Sequence, residues 1–101
     1  MAISGSEVAV DTTATLIVAA DARRVALTIT NMGPNQIVIG GSGVTLKTGT
    51  PLNGTAAPTT AAGGTFSVDT HGGVNEAWYG IARTAQQSTG AATQVVEALR
   101  S

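Results

Sequence analysis

Apolar residues in this chain come in short alternating runs, and Gly, Pro, Asn or Asp closes almost every run. Alternation with period two makes one face apolar only in an extended strand, where successive side chains point opposite ways. The best run is Arg24 to Thr30. Val25, Leu27 and Ile29 fall on one face, and Ala26, Thr28 and Thr30 on the other. Asn31-Met32-Gly33-Pro34-Asn35 follows, and Gln36 to Ile39 resumes with Ile37 and Ile39 inward. The two runs predict a β-hairpin.

Further strands are predicted at Glu7 to Val10, Thr15 to Val18, Val44 to Leu46, Thr65 to Val68 and Ala77 to Arg83. In the last of these, Trp78, Gly80 and Ala82 share one side, and Tyr79, Ile81 and Arg83 the other. Residues 47 to 64, rich in Thr, Gly, Ala and Pro, predict a long irregular stretch. Thr93 to Leu99 suits a helix by its Ala, Gln, Glu and Leu content and a strand by its Val pair. A helix of about ten residues is marginal alone, so a closing edge strand is expected. The sum is an all-β fold: a small antiparallel β-sandwich or barrel, jelly-roll-like, of about 7–8 short strands.

With 101 residues the chain amounts to one domain. Residues 7–101 are assigned to it, and residues 1–6, small and polar, to a flexible N-terminal arm. That arm, with Ile3 its one large apolar side chain after Met1, is expected to order on binding by adding a strand to a neighbour's sheet.

Charged residues are 11% of the chain, against about 25% in an ordinary soluble domain. An isolated monomer usually coats itself with mixed charge. A surface of Thr, Ser, Ala, Gly, Asn and Gln either stays in water as a neutral β surface or is covered by neighbours, since interface centres are depleted of charge. The positive mean hydropathy favours cover. The five basic residues are scattered, so neither a nucleic-acid stripe nor a membrane patch is expected. No apolar run approaches the ~20 residues of a membrane span. The start lacks the charged and apolar regions of a signal peptide, and synthesis in the cytoplasm is expected.

Catalytic and metal chemistry find little to use. The chain has one histidine and no cysteine. Asp69-Thr70-His71, with Glu76 as a distant third ligand, is better read as a solvated loop. No serine lies on a nucleophile elbow. Gly40-Gly41-Ser42-Gly43 lacks the Lys and the following helix of a phosphate loop. Asn53-Gly54-Thr55 matches a glycosylation sequon and reads as a turn. No enzyme activity, cofactor or metal is expected.

The residues expected to touch partners are Ile3, Arg23, Arg24, Trp78 and Tyr79. Trp78 and Tyr79 put large rings on opposite faces of one strand, so one is expected in the core and the other exposed, at a strand crossing or at an interface. Arg23 and Arg24 open the best strand, either as solvated ends or as a carboxylate clamp on a neighbour.

Val8-Ala9-Val10 is followed by Thr13-Ala14-Thr15-Leu16-Ile17-Val18-Ala19-Ala20 and by Arg23-Arg24-Val25-Ala26-Leu27-Thr28-Ile29-Thr30-Asn31-Met32-Gly33-Pro34. Ile37-Val38-Ile39-Gly40-Gly41, Gly63-Gly64-Thr65-Phe66-Ser67-Val68-Asp69, Tyr79-Gly80-Ile81-Ala82 and Val95-Val96-Glu97-Ala98-Leu99 come after them. This succession, over most of residues 7 to 100, resembles small β-sandwich virion proteins of tailed bacteriophages, of the capsid decoration and head-fibre type. The resemblance implies a structural protein on the virion's capsid surface that cements the head. Its partners would be the major capsid protein and copies of itself, a trimer at symmetry axes being one arrangement. The alternative is a receptor- or carbohydrate-binding module of a fibre or tail. No residue role is carried over, because these modules share no residue signature.

Overall fold

The computed structural model describes residues 2–54, 63–69, 73–86 and 92–99. They form eight strands: β1 (Ala2–Val8), β2 (Thr15–Val18), β3 (Arg24–Asn31), β4 (Ile37–Gly40), β5 (Thr50–Leu52), β6 (Thr65–Val68), β7 (Trp78–Ala82) and β8 (Thr93–Leu99). Two four-stranded sheets result, ordered β1-β8-β3-β6 and β2-β7-β4-β5. Every pairing is antiparallel.

The order has a simple origin. β4 pairs β5, β3 pairs β6, β2 pairs β7 and β1 pairs β8. These are the nested pairs of one long two-stranded ribbon. Rolling that ribbon brings β8 beside β3 and β7 beside β4, which closes a jelly roll. The expected fold class is therefore the observed one.

The core lies between the sheets. Leu27 and Ile29 from β3 and Val95 from β8 face Ile17, Ile37, Ile39, Leu52 and Ala82 of the opposite sheet, with Val10 sealing one side. Phe66, Val68 and Trp78 pack against this cluster. Trp78, Gly80 and Ala82 share one side of β7, as alternation predicts, and the structure makes that side the inner one, with Gly80 and Ala82 buried. In β2 a register shift between Leu16 and Val18 lets the adjacent Ile17 and Val18 both turn inward.

Several expectations are corrected. The Arg24–Thr30 and Gln36–Ile39 runs do not form a hairpin: β3 and β4 lie in different sheets. Two strands with inward apolar faces satisfy burial equally well side by side or opposed across a core, so alternation cannot separate the two. Val44 to Leu46 is not a strand but enters a turn closed by the isolated bridge Thr45–Thr48, and the strand lies later, at β5. This turn region folds back on the outer face of β4, burying Val44 and Val38 outside the main core. Gly49 permits it, because a Cβ there would stand 2.6 Å from the Val38 side chain and from the Ile39 carbonyl. In β3 a register shift between Arg24 and Ala26 reverses the alternation, so Arg24 turns inward. β8 is a strand, as expected, but an internal one between β1 and β3.

Residues 2–6 are not an arm outside the domain. They are part of β1, which pairs β8 from Ala2–Leu99 to Val8–Thr93. Ser4, Gly5 and Ser6 show no apolar face, so composition hides the strand. The backbone ladder with β8 creates it.

Ile29 is fully buried and Val96, its near neighbour in β8, is about half exposed. Ile29→Ala is expected to cost about 2–5 kcal/mol in denaturant unfolding, and Val96→Ala less than about 0.5 kcal/mol. Equal costs would mean that the inner and outer faces are misassigned.

Candidate interaction surface

The two ends of β3 carry the polar side chains that hold the sandwich together. At its start, Arg24 is 2% exposed. Its Nε–H donates to Glu97 Oε2 at 2.7 Å. Nη1 donates to the carbonyls of Val74 and Glu76, both at 2.9 Å, and Nη2 to the carbonyl of Ala19. One cation thus joins β3 to β8, to the β2–β3 connection and to the turn before β7. The Asn75 side-chain amide supports the same corner, donating to the Arg24 carbonyl at 2.8 Å.

At the other end, buried Asn31 donates through Nδ2 to the carbonyls of Asn35 and Leu52. Its Oδ1 accepts from Gly33 N–H and from Gln86 Nε2. Gln86 Oε1 in turn accepts from Val10 N–H and the Thr93 hydroxyl, both at 3.0 Å. Among the described residues no buried side-chain polar atom lacks a partner, as burial requires.

These contacts show where the expected partner residues lie. Arg24, expected as a solvated strand end or a carboxylate clamp on a neighbour, is instead buried and bonded inside the fold, because the register shift turns it to the core and burial then demands internal acceptors. Arg23 is exposed and pairs Asp21 at 3.5 Å. Trp78 lies in the inner layer, its ring centroid 4.9 Å from that of Phe66 and its indole N–H donating to the Gly73 carbonyl at 2.8 Å. Tyr79 lies half-buried on the outer face of the β2-β7-β4-β5 sheet, opposite Leu16. Ile3 is 78% exposed on β1.

The outer face of the β1-β8-β3-β6 sheet is the largest departure from ordinary surface chemistry. Its rows read, from β1 across, Ile3–Ala98–Ala26, Gly5–Val96–Thr28–Ser67 and Glu7–Gln94–Thr30–Thr65. Glu7 is the only charge on these rows. Asp69, just beyond β6, stands at the diagonally opposite corner. The hydroxyls partner one another: Thr28 with Ser67 at 3.3 Å and Thr30 with Thr65 at 3.2 Å. Val96 is 48% exposed in the middle. The Ala26, Thr28 and Thr30 face was legible in the alternation, but only the sheet order sets Gln94, Val96, Ala98, Ser67 and Thr65 beside it.

His71 lies outside the described residues, and so does Thr55 of the Asn53-Gly54-Thr55 sequon. Among the described residues no three potential metal ligands converge, and no helix is long and apolar enough to cross a membrane. No family model matches the chain, and no curated protein or solved structure is significantly similar to it.

Two outcomes are expected. Arg24→Met orphans Glu97 and three carbonyls, and should destabilise by about 3–5 kcal/mol. Adding Glu97→Leu should return part of that in the same denaturant titration, because the unpaired carboxylate is gone. Asp21 accepts from the Arg23 backbone N–H first and from its guanidinium second, which holds its carboxyl below the ordinary aspartate range. Its stabilising contribution is therefore present above that range and is lost as pH falls through the lower folded value. NMR titration of Arg23→Ala should return only part of the shift, since the backbone donor remains.

Proposed function

We propose that this chain is a structural virion module, a decoration protein that lies on the outer surface of a phage head and stabilises it against internal pressure. Its partner in this reading is the major capsid protein, and it acts through contact area, with no cofactor and no turnover. The observation that carries the reading is the charge-poor outer face of the β1-β8-β3-β6 sheet. Covering such a face removes few ions from water, and ions are the costly groups to desolvate. Its hydroxyls already bond across the strands, so less is lost when water leaves. Many copies on one shell then sum weak contacts. The succession of strand and turn segments that resembles phage decoration and head-fibre modules supports the same reading.

The jelly roll serves viral capsid and lectin domains alike, so architecture does not separate decoration from glycan binding. The inner placement of Trp78 does bear on the choice. A sugar platform needs an exposed ring, and this one packs in a tilted contact against Phe66 with its N–H already bonded.

Thr28→Lys combined with Val96→Lys puts two charges at the centre of the face. Both side chains point outward, so the melt should move little. Occupancy on shells lacking the protein, read by imaging, should fall by about tenfold or more, the equivalent of ~1.4 kcal/mol. Unchanged occupancy would remove this face as the contact. Binding to a glycan array without binding to shells would favour the fibre or tail reading.

A further inference from the structure

Each sheet ends in two edge strands, and three of the four edges are blunted. β5 is three residues long and contains Pro51. β6 has four residues. β2 has four and a register shift. Short length, proline and bulges are the devices that keep edges from pairing with other chains. β1 has none of them. It runs seven residues in unbroken register with β8, spans about 24 Å at ~3.4 Å per residue, and carries one charge, Glu7. No other described strand pairs with its far side, so every second residue offers that side an unpaired N–H and C=O.

We infer that the free edge of β1 pairs antiparallel with β1 of a second copy about a two-fold axis at Gly5, joining two four-stranded sheets into one of eight strands. This deepens the structural-module reading by naming the self-contact. The strand is self-complementary about that axis. Ser4 meets Ser6 of the second copy, and Ile3 meets Glu7 of the second copy. The one charge therefore faces an aliphatic side chain and not its own image, where like charges would repel. An axis at any other residue of the strand leaves part of it unpaired, since Gly5 is the midpoint of Ala2–Val8. The pairing also brings Ile3, the most exposed large apolar side chain among the described residues, against the second copy. It is an isologous contact, which closes at two copies and does not run on into fibres. One strand pair buries less than the ~1,200 Å² of a stable complex, so the dimer is weak in dilute solution and is favoured where copies are concentrated.

The chain has no cysteine, which makes a direct test available. In the two-fold pair the Gly5 Cα atoms stand ~4.5–5.5 Å apart, inside the range a disulfide spans. A Cβ at Gly5 meets only the Val95 carbonyl, at 3.8 Å, so Gly5→Cys fits the strand. Under mild oxidation Gly5→Cys should form a linked dimer about tenfold or more faster than Ser42→Cys, a control in the exposed turn after β4. Ile3→Cys and Glu7→Cys should cross-link when mixed and much more slowly when each is alone. Ser4→Lys with Ser6→Lys, introduced into the Gly5→Cys chain, should abolish the advantage. Equal rates for Gly5→Cys and Ser42→Cys, with an unchanged melt, would overturn the pairing. Should Gly5→Cys fail to fold, the mixed Ile3→Cys and Glu7→Cys pair decides alone, and no preference for the mixture overturns it. Cross-linking is read on free protein and shell occupancy on particles, so either idea can fail without the other.

Discussion

A buried guanidinium tolerates no loose arrangement around it. Arg24 is taken from water, and the fold must return acceptors to it at fixed distances. Glu97 and the carbonyls of Val74, Glu76 and Ala19 do so. The register shift early in β3 exists where it must to aim this side chain inward. Much else follows from that corner. It fixes β8 against β3, and it positions the turn that presents Gly73 to the Trp78 indole. It also spends two of the chain's few charges internally, which leaves the outside poorer still in ions.

Asn31 performs the matching task at the far end of β3. Its amide bonds both sides of the crossing between sheets, at Asn35 and at Leu52, and Gln86 links it to Val10 and Thr93. The central strand therefore has polar ends and an aliphatic middle at Leu27 and Ile29. A small domain with only three aromatic residues has a modest apolar core, and satisfied polar networks at its two ends add specificity to it. Rolling a ribbon of nested pairs needs such end constraints, since hydrophobic burial alone does not say which strand crosses to which sheet.

The outer faces reflect a division of labour. The loop after β4 folds back with Val44 over Val38, so the β2-β7-β4-β5 sheet is partly covered by its own chain. Among the described residues, the other sheet keeps its outer face and its β1 edge open. Neutral rows of Thr, Ser, Ala and Val suit broad contact with a flat partner, and an unblunted edge suits pairing with another strand. The two surfaces are orthogonal, one normal to the sheet and one in its plane, so a copy can be held from below and joined to a neighbour at its side.

Composition and alternation were enough to establish the all-β class, the shared side of Trp78, Gly80 and Ala82 in β7, the shared face of Leu27 and Ile29 and the poverty of charge, because each is a local property of a period-two chain; which side of β7 is the inner one was left to the sheet packing. They were silent on partner choice. Val25, Leu27 and Ile29 look alike whether the next strand lies beside or across from them, so the expected hairpin of β3 with β4 was not distinguishable from a sheet crossing. Arg24 reads as an exposed strand end until one register shift turns it round. Residues 2–6 have no apolar pattern and become a strand only because β8 lends its backbone. Tertiary structure decided those matters, since the carboxylate that pairs the buried cation and the strand that pairs a bare edge both lie more than seventy positions away, a distance over which no local pattern reaches.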